Sequence, residues 1–579
     1  MSIEIRSHLR RVWGRVQVDL RSDPQLRYIL LLSLFVSAFW FWWRIPNFVT
    51  ADEYRRIGQP MKVAQFVLSD PGLETLGRLA EQEAGRDATT YLHGLVLIPL
   101  FIVVLLLGEL DTLIDAGSAG TDSIFALWNA VPAWFWAASL TLTRLLNVAL
   151  VVCSVYVTYR IGTELMDRRA GRIAAVFTTL SLAVIHTAHE VNEDTPALFL
   201  LLVVLYLSIR YLHTENRQYF VVGCGLGGLA IAFKLTAGVV VVFLGVAYFL
   251  TGLKKSDPIA ALWQPRLLLF GLLLGIITIY VGIPNLLLRG PEWLIEARLL
   301  GENQARTVAS TTPRGYSALL AYLNGLGLPL AIGTAAGLFA TVRRFLTERT
   351  SHDGEVVLFV GLVVYFVLFF GVWREFNTHH VLPSIPLLVI LFAVTLSQYF
   401  EDRADIARVV LAVVLLTTAL YAGAGLYQFT NDPRDEATEW LESEAPPEAT
   451  ITVFDNSPAH VGLVHGRPID HYQFGRAAAF PGEEYTEWLL STPDRNPEYI
   501  VTTGNIRGTG EYPRRAEFND RLMNGDHYGY VVAAEFGERP QSRSRSSELL
   551  RAGIEPKLEK RKDYSIIFAR NESLANPQQ

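Results

Sequence analysis

Between residues 28 and 427 uncharged apolar runs of about 17 to 25 residues recur, long enough to cross a hydrocarbon core of ~30 Å. Backbone inside a bilayer must satisfy its own hydrogen bonds, so such runs can only be helices here. The hydrophobic residues, 51% of the chain, are clustered rather than spread evenly. A polytopic α-helical membrane protein is therefore expected. Candidate spans are 28–44, 139–160, 172–188, 194–212, 218–233, 235–253, 267–288, 317–341, 355–373, 380–400 and 406–427. The first run ends in Trp, Arg and Pro without a small-residue cleavage site, so it reads as a retained span rather than a signal peptide.

Lys and Arg near span ends mark the cytoplasmic side. Arg6, Arg10, Arg11, Arg15 and Arg21 precede the first span, which puts the N-terminal segment 1–27 inside. Alternate loops then carry Arg160, Arg168, Arg169 and Arg172; Arg210 and Arg217; Lys254, Lys255 and Arg266; Arg343, Arg344 and Arg349; and Arg403 and Arg408. Eleven spans satisfy the rule at every turn and leave the C-terminus outside. The run LHGLVLIPLFIVVLLLG, 92–108, is left over. As an unpaired span it would invert every later loop, and it is short and contains Pro99. A juxtamembrane or re-entrant element within one large external loop, 45–138, is expected. The alternative that keeps the parity pairs it with a second crossing near 124–138.

The net charge of −6 does not suggest nucleic acid as a partner. Cys153 and Cys224 both fall inside apolar runs, so neither a disulfide framework nor a cysteine metal site is readable. Only seven of the 50 basic residues are lysine, and acid exceeds base, a balance that fits genome composition or a salt-rich habitat.

This topology gathers ionisable residues outside. The loop after the first span opens TADEYRR, with Asp52, Glu53, Arg55 and Arg56, and later carries His93. The short loop HTAHEVNEDTP holds His186, His189, Glu190, Glu193 and Asp194, and Lys234 sits between the fifth and sixth spans. Loop 289–316 holds Glu292, Glu296, Arg298, Glu302 and Arg306, and WREFNTHHVLP holds Arg374, Glu375, His379 and His380. Charge on short turns tight against a bilayer points to function. HTAHEVNED is not HExxH and its ligand spacing is loose, so no metal is assigned and none is indicated as a cofactor. Asp194, followed by Thr195 and Pro196, reads as a cap of the fourth span whose carboxylate stays exposed. The glycines of GCGLGG, 223–228, lie inside a span, where close helix packing explains them.

Several of these stretches resemble the GT-C class of membrane glycosyltransferases, most closely the protein O-mannosyltransferase and lipid A aminoarabinose transferase group (glycosyltransferase family 39-like, archaeal or bacterial). The resemblance covers roughly residues 25–445. It rests on TADEYRR, on TRLLNVALVVCSVYVTYRIGTELMDRRAGRIAAVF, on NEDTPALFLLL, AFKLTAG and HHVLPSIPLL, and on NDPRDEATEWLESEAPPEATI. Their order and spacing are more specific than any one of them. Where relatives carry His-Pro-Pro, this chain has Tyr91-Leu92-His93-Gly94, and His380 replaces the Tyr of the late turn.

The resemblance implies a GT-C fold over 28–427 and transfer of a hexose, such as mannose, from a polyprenyl- or dolichyl-phosphate donor to a protein, glycan or lipid acceptor. That chemistry serves protein glycosylation or the cell envelope at the external face of the cell membrane. It implies Asp52 as general base, Glu53 for orientation or acceptor binding, and Asp194, with Glu193, as a second acidic element. Lys234, Arg374, His379 and His380 are the cationic candidates for the departing phosphate, which needs positive charge or hydrogen-bond donors. Arg55, Arg56, His93, His189 and Glu190 are acceptor-binding or supporting candidates. Attack opposite the phosphate would invert the anomeric centre.

Beyond residue 428, TITVFDN, EYIVTTG, GYVVAAEFG and YSIIFARN read as short strands, with DEATEWLESE helical and 539–547 a flexible loop. A small external α/β domain, 428–579, is expected. Two rival readings are a transporter or lipid flippase, which calls for charges within spans and internal repeats, and a non-catalytic subunit of glycan assembly.

Overall fold

The computed structural model describes residues 2–69, 72, 74–75, 87–113, 124–293, 295, 313, 315–347, 361, 376–472, 482–504, 506, 512–524, 527–539, 544–558 and 561–571. Arg374, Glu375, Glu296, Arg298, Glu302, Arg306, Arg349 and, apart from residue 361, the expected span 355–373 lie outside the described residues. The other ten expected spans are helices or bent helix pairs. Among the described residues, seven helices are long and apolar enough to cross a membrane, or nine if each of two bent pairs is one span. Pro24–Ala38 and Arg217–Phe233 are shorter apolar helices. This is the architecture of a multi-pass membrane protein.

Local chemistry explains where helices start, and twice why they break. Asp23 accepts from the Leu26 N–H with Pro24 in the first turn, and Asp167 accepts from the Ala170 N–H, so both helices begin on capped ends. The first span stops at Ala38, short of residue 44, because the backbone turns through left-handed Trp40 and Arg44 (φ 56° and 58°). The expected span 317–341 is not one straight helix. Tyr316–Leu326 and Leu328–Thr347 meet at 109° across Gly327. Its φ of 73° with ψ of 153° is a conformation essentially reserved for glycine. Arg168–Leu180 and Leu182–Ala188 are bent by 60°. Gly228 shows why GCGLGG is glycine-rich: a Cβ there would collide with the Gly275 carbonyl oxygen on the neighbouring helix.

The bundle has two chemically different ends. At one, Arg168 donates to the Ser22 carbonyl (2.9 Å), Arg210 pairs with Glu164 (2.9 Å) and Ser397 donates to Asp167 (3.0 Å). At the other lie the turns around residues 39–53, 186–194, 234, 324 and 377–380, together with a C-terminal domain.

Ala88–Leu107, the leftover run, is a single 20-residue helix capped by Asp87. Its length and hydropathy would let it cross a membrane. Ala88 shares an apolar cluster with Ala232, Ile283 and Leu286 at the ends of two spans. Phe101, ~20 Å further along at 1.5 Å per residue, lies 5.9 Å from Phe135, at the start of Ala133–Leu165. Val104 belongs to a cluster that includes Ile451 and Val453 of the C-terminal domain. These contacts join the helix to the bundle end that carries the C-terminal domain, while Leu95, Ile102 and Leu106 stay exposed. Because the same helix also qualifies as a membrane span, a juxtamembrane course stays a proposal. A second crossing near 124–138 is not supported, because Ile124–Ala130 has only seven residues. Ala133–Leu165 is 33 residues, or ~50 Å, and overshoots a ~30 Å core.

The C-terminal domain carries a five-stranded sheet of order β2-β1-β3-β5-β4, with β1 Ile451–Val453, β2 Ile469–His471, β3 Tyr499–Thr502, β4 Tyr530–Gly537 and β5 Tyr564–Arg570. β1 pairs parallel with β2 and β3, and β5 pairs antiparallel with β3 and β4. The four expected strands are present, and β2 is an addition the sequence pattern did not signal. Residues 539–547 were expected to be loop, but Ser544 caps a helix, Arg545–Ile554, by accepting from the Ser547 N–H. The domain docks through buried polar bonds. Arg434 holds Asp432 through two bonds (3.0 and 2.7 Å) and donates to the Ala459 carbonyl (2.6 Å), while Trp43 Nε1 donates to Asp432 (3.1 Å). Asn47 donates to the Leu463 carbonyl (3.1 Å), and His465 Nε2 sits 2.8 Å from the Trp128 carbonyl.

Candidate functional site

The stretch FVTADEYRR folds around a capping pattern, Thr50-x-x-Glu53. The Thr50 hydroxyl accepts from the Glu53 N–H (3.1 Å), and Glu53 turns back to accept from the Val49 N–H (2.7 Å) at the head of Ala51–Ser69. The Glu53 side chain is fully buried, and Arg144 grips both its oxygens at 3.0 Å. The Val191 N–H donates to the same carboxylate (2.9 Å), and Arg144 also donates to the carbonyls of Phe41 (3.0 Å) and Trp43 (2.6 Å). One ion pair thus ties four segments: the turn after the first span, the head of Ala51–Ser69, the long helix Ala133–Leu165 and the loop before Asp194. With its oxygens engaged and no exposed surface, Glu53 has no face for an acceptor, which corrects that part of its expected role.

Asp52 has the opposite environment. Its side chain is 59% exposed, with the exposed Arg55 guanidinium 4.0 Å away. Arg56, one turn further along, bridges Asp87 (3.0 Å) and Glu193 (2.7 Å). Asp87 also accepts from the N–H groups of Thr89 and Thr90, capping Ala88–Leu107. Asp194 pairs with Lys234, whose side chain is 16% exposed. Residues from four parts of the chain thus form one chain of charge, Asp87–Arg56–Glu193 and Asp194–Lys234, with Asp52 beside Arg56 at the open edge. Burial would push Glu193 up, but Arg56 and then Lys234 hold it down to about 2.

The expected cap is reassigned. Asn192, not Asp194, accepts from the Thr195 N–H (2.8 Å) and hydroxyl (3.0 Å), and the Asp194 carboxylate, expected to be exposed, is buried against Lys234. His189 is fully buried, stacked 3.9 Å from Phe429, with its ring nitrogens facing the carbonyls of Ile185 (2.8 Å) and Phe39 (2.5 Å). His93 is fully buried beside Arg56 and Glu193. Neither imidazole can touch an acceptor directly, so both belong to the frame. Glu190 is buried, and its carbonyl accepts from Asn147 (2.6 Å) and Asn192 (2.9 Å). His379 and His380 stand on the separate turn Thr378–Val381, which Asn324 joins to Tyr316–Leu326. There His380 Nδ1 accepts from the Asn377 N–H (2.9 Å), which in the neutral ring leaves Nε2–H as the donor. Among the described residues, no three His, Cys, Asp or Glu side chains are grouped to hold a metal ion.

Arg144, Asp87 and Asn192 were not singled out from the sequence. A lone arginine inside the apolar run LTLTRLLNVALVV was the readable signal for the first, and Asp-Ala-Thr-Thr before an apolar run for the second.

Residues 122–281 match the family described as dolichyl-phosphate-mannose-protein mannosyltransferase, a stretch that contains Glu193, Asp194 and Lys234 but not Asp52. No curated protein matches the chain. Among solved structures, the oligosaccharyltransferase of Archaeoglobus fulgidus in the apo form is similar at 12% identity and a TM-score of 0.49, over 94% of this chain and 88% of that one. ArnT from Cupriavidus metallidurans bound to undecaprenyl phosphate is similar at 15% identity and a TM-score of 0.46, over 96% and 98%. By the family match over 122–281 and by its own motifs, the chain resembles the GT-C glycosyltransferases.

Proposed function

We propose that this protein transfers a sugar, mannose or another hexose, from a polyprenyl-phosphate donor to a hydroxyl of a protein, glycan or lipid acceptor at the external membrane face. The observation that carries the reading is the contrast between two neighbours: Glu53 is buried in an ion pair, and Asp52 is left open on the same helical turn. An open carboxylate held on a rigid turn suits a general base. In this reading Asp52 takes the acceptor's hydroxyl proton while the acceptor oxygen attacks the anomeric carbon. The bond from that carbon to the phosphate oxygen breaks, and polyprenyl phosphate leaves with the electron pair. Lys234, steered by Asp194, and the Nε2–H of His380 are the proposed cationic or donor groups for that phosphate, with Arg374 a further candidate from the sequence. Glu53 acts as a positioning residue through Arg144. The description of the family matching 122–281 supports a lipid-phosphate sugar donor.

Turnover of a defined polyprenyl-phosphate hexose by purified protein in detergent tests the reaction, and Asp52→Asn tests the base. The amide keeps the size and polarity but cannot accept the proton, and the expected loss is roughly 100- to 10,000-fold with donor binding retained. Transfer within a few-fold of wild type would make Asp52 a boundary residue only.

A further inference from the structure

We propose that the end of the bundle opposite Asp52, Glu193 and Asp194 holds a binding site for one anionic glycerophospholipid. Pro24–Ala38, Arg168–Leu180 and Ala404–Tyr427 line an open groove of about 360 Å³ with apolar walls that include Ile29, Phe177 and Leu415. This lies in the size range of small-molecule sites. Charge is confined to its margin, where Arg169 and Arg172 occupy the first turns of Arg168–Leu180. Phe177 lies ~12 Å deeper along the same helix. The groove therefore runs from a basic mouth into hydrocarbon.

The two guanidinium groups are in different states. Arg172 gives its Nε to both oxygens of the buried Asp23 (3.1 and 2.9 Å), which neutralises it locally. Arg169 is exposed, rests 4.9 Å from the centre of the Phe400 ring and makes no ion pair among the described residues. An exposed cation without a carboxylate, at the mouth of an apolar groove between membrane helices, complements a phosphodiester that carries acyl chains. Basic pockets between such helices bind acidic headgroups in this way. A free phosphate would leave the groove uncovered, and a zwitterionic lipid would bring a second cation beside Arg169.

The test adds phosphatidylglycerol, phosphatidylcholine with the same acyl chains, or inorganic phosphate to the full chain in detergent. Thermal unfolding and lipid retention in native mass spectrometry are read. Phosphatidylglycerol alone should raise the unfolding temperature and stay bound. Arg169→Gln, at an exposed position, should fold normally and bind it about fivefold more weakly or worse. Leu415→Trp, which fills the groove, should abolish retention. Equal retention of phosphatidylcholine, the same shift with phosphate alone, or undiminished binding by Arg169→Gln would each overturn the proposal.

Discussion

Asp52 and Glu53 are chemically alike and adjacent, yet substitution should separate them cleanly. Glu53→Gln leaves the Arg144 guanidinium buried without its counter-charge, and breaking a buried pair costs about 3 to 5 kcal/mol. We expect Glu53→Gln to lower the thermal unfolding temperature and the yield of folded protein along with any activity. Asp52→Asn, at an exposed position, should leave both at wild-type values. Equal melting of the two variants would show that the Glu53–Arg144 pair does not hold the frame. Glu193 supplies a pH signature. Its folded value is held near 2, below the ordinary 4.5, so the stability it contributes is complete above about pH 4.5 and fades as pH falls toward 2. The difference in unfolding temperature between wild type and Glu193→Gln should therefore shrink as pH falls below 4.5. A difference that instead grows on acidification would reverse the assigned sign.

Ala88–Leu107 is where composition and placement diverge most. A helix with this hydropathy is expected to cross the bilayer, yet its first turn and its middle both pack at one end of the bundle. A course against the end of the bundle, with the outer leucines turned to lipid, accounts for their exposure without a crossing. Spin labels at positions 95, 102 and 106 should report similar shallow depths by collisional accessibility. A spanning helix would place the middle label near the bilayer centre, and that depth profile would refute the interfacial course. The break at Gly327 follows the same logic, since an apolar run alone does not show that a helix is continuous.

Across the whole molecule, the C-terminal domain and the turn after the first span form one unit. Asp432 and Arg434 are both fully buried, bonded to Trp43 and to the Val49 and Ala459 carbonyls, and Val49 in turn donates to Glu53. Arg434→Met should strand the Asp432 charge and loosen the domain. Limited proteolysis should then release a C-terminal fragment that wild type retains. A loosened domain should also lower transfer, because Val49 sits between the docking surface and the turn that carries Asp52. Unchanged proteolysis would mean that the apolar contacts around Phe429 and Ile451 are sufficient for docking.

Most of the span positions, the two chemically distinct ends and four of the five strands were legible in the sequence. Hydropathy, charge bias and period-two alternation are local properties, repeated over enough residues to outweigh any single exception. The gathering of Arg56, Glu193, Asp194 and Lys234 at one end also followed from counting arginines across loops. Other features depended on partners far along the chain. Glu53 is buried because Arg144, 91 residues away, reaches it, and Asp52 is open because no such partner does. Asn192 rather than Asp194 caps its helix because Lys234, 40 residues on, takes the carboxylate. Sequence composition determined which segments leave water. Only tertiary packing decided which charge stays accessible, because desolvation and pairing act between surfaces that meet after the chain has folded.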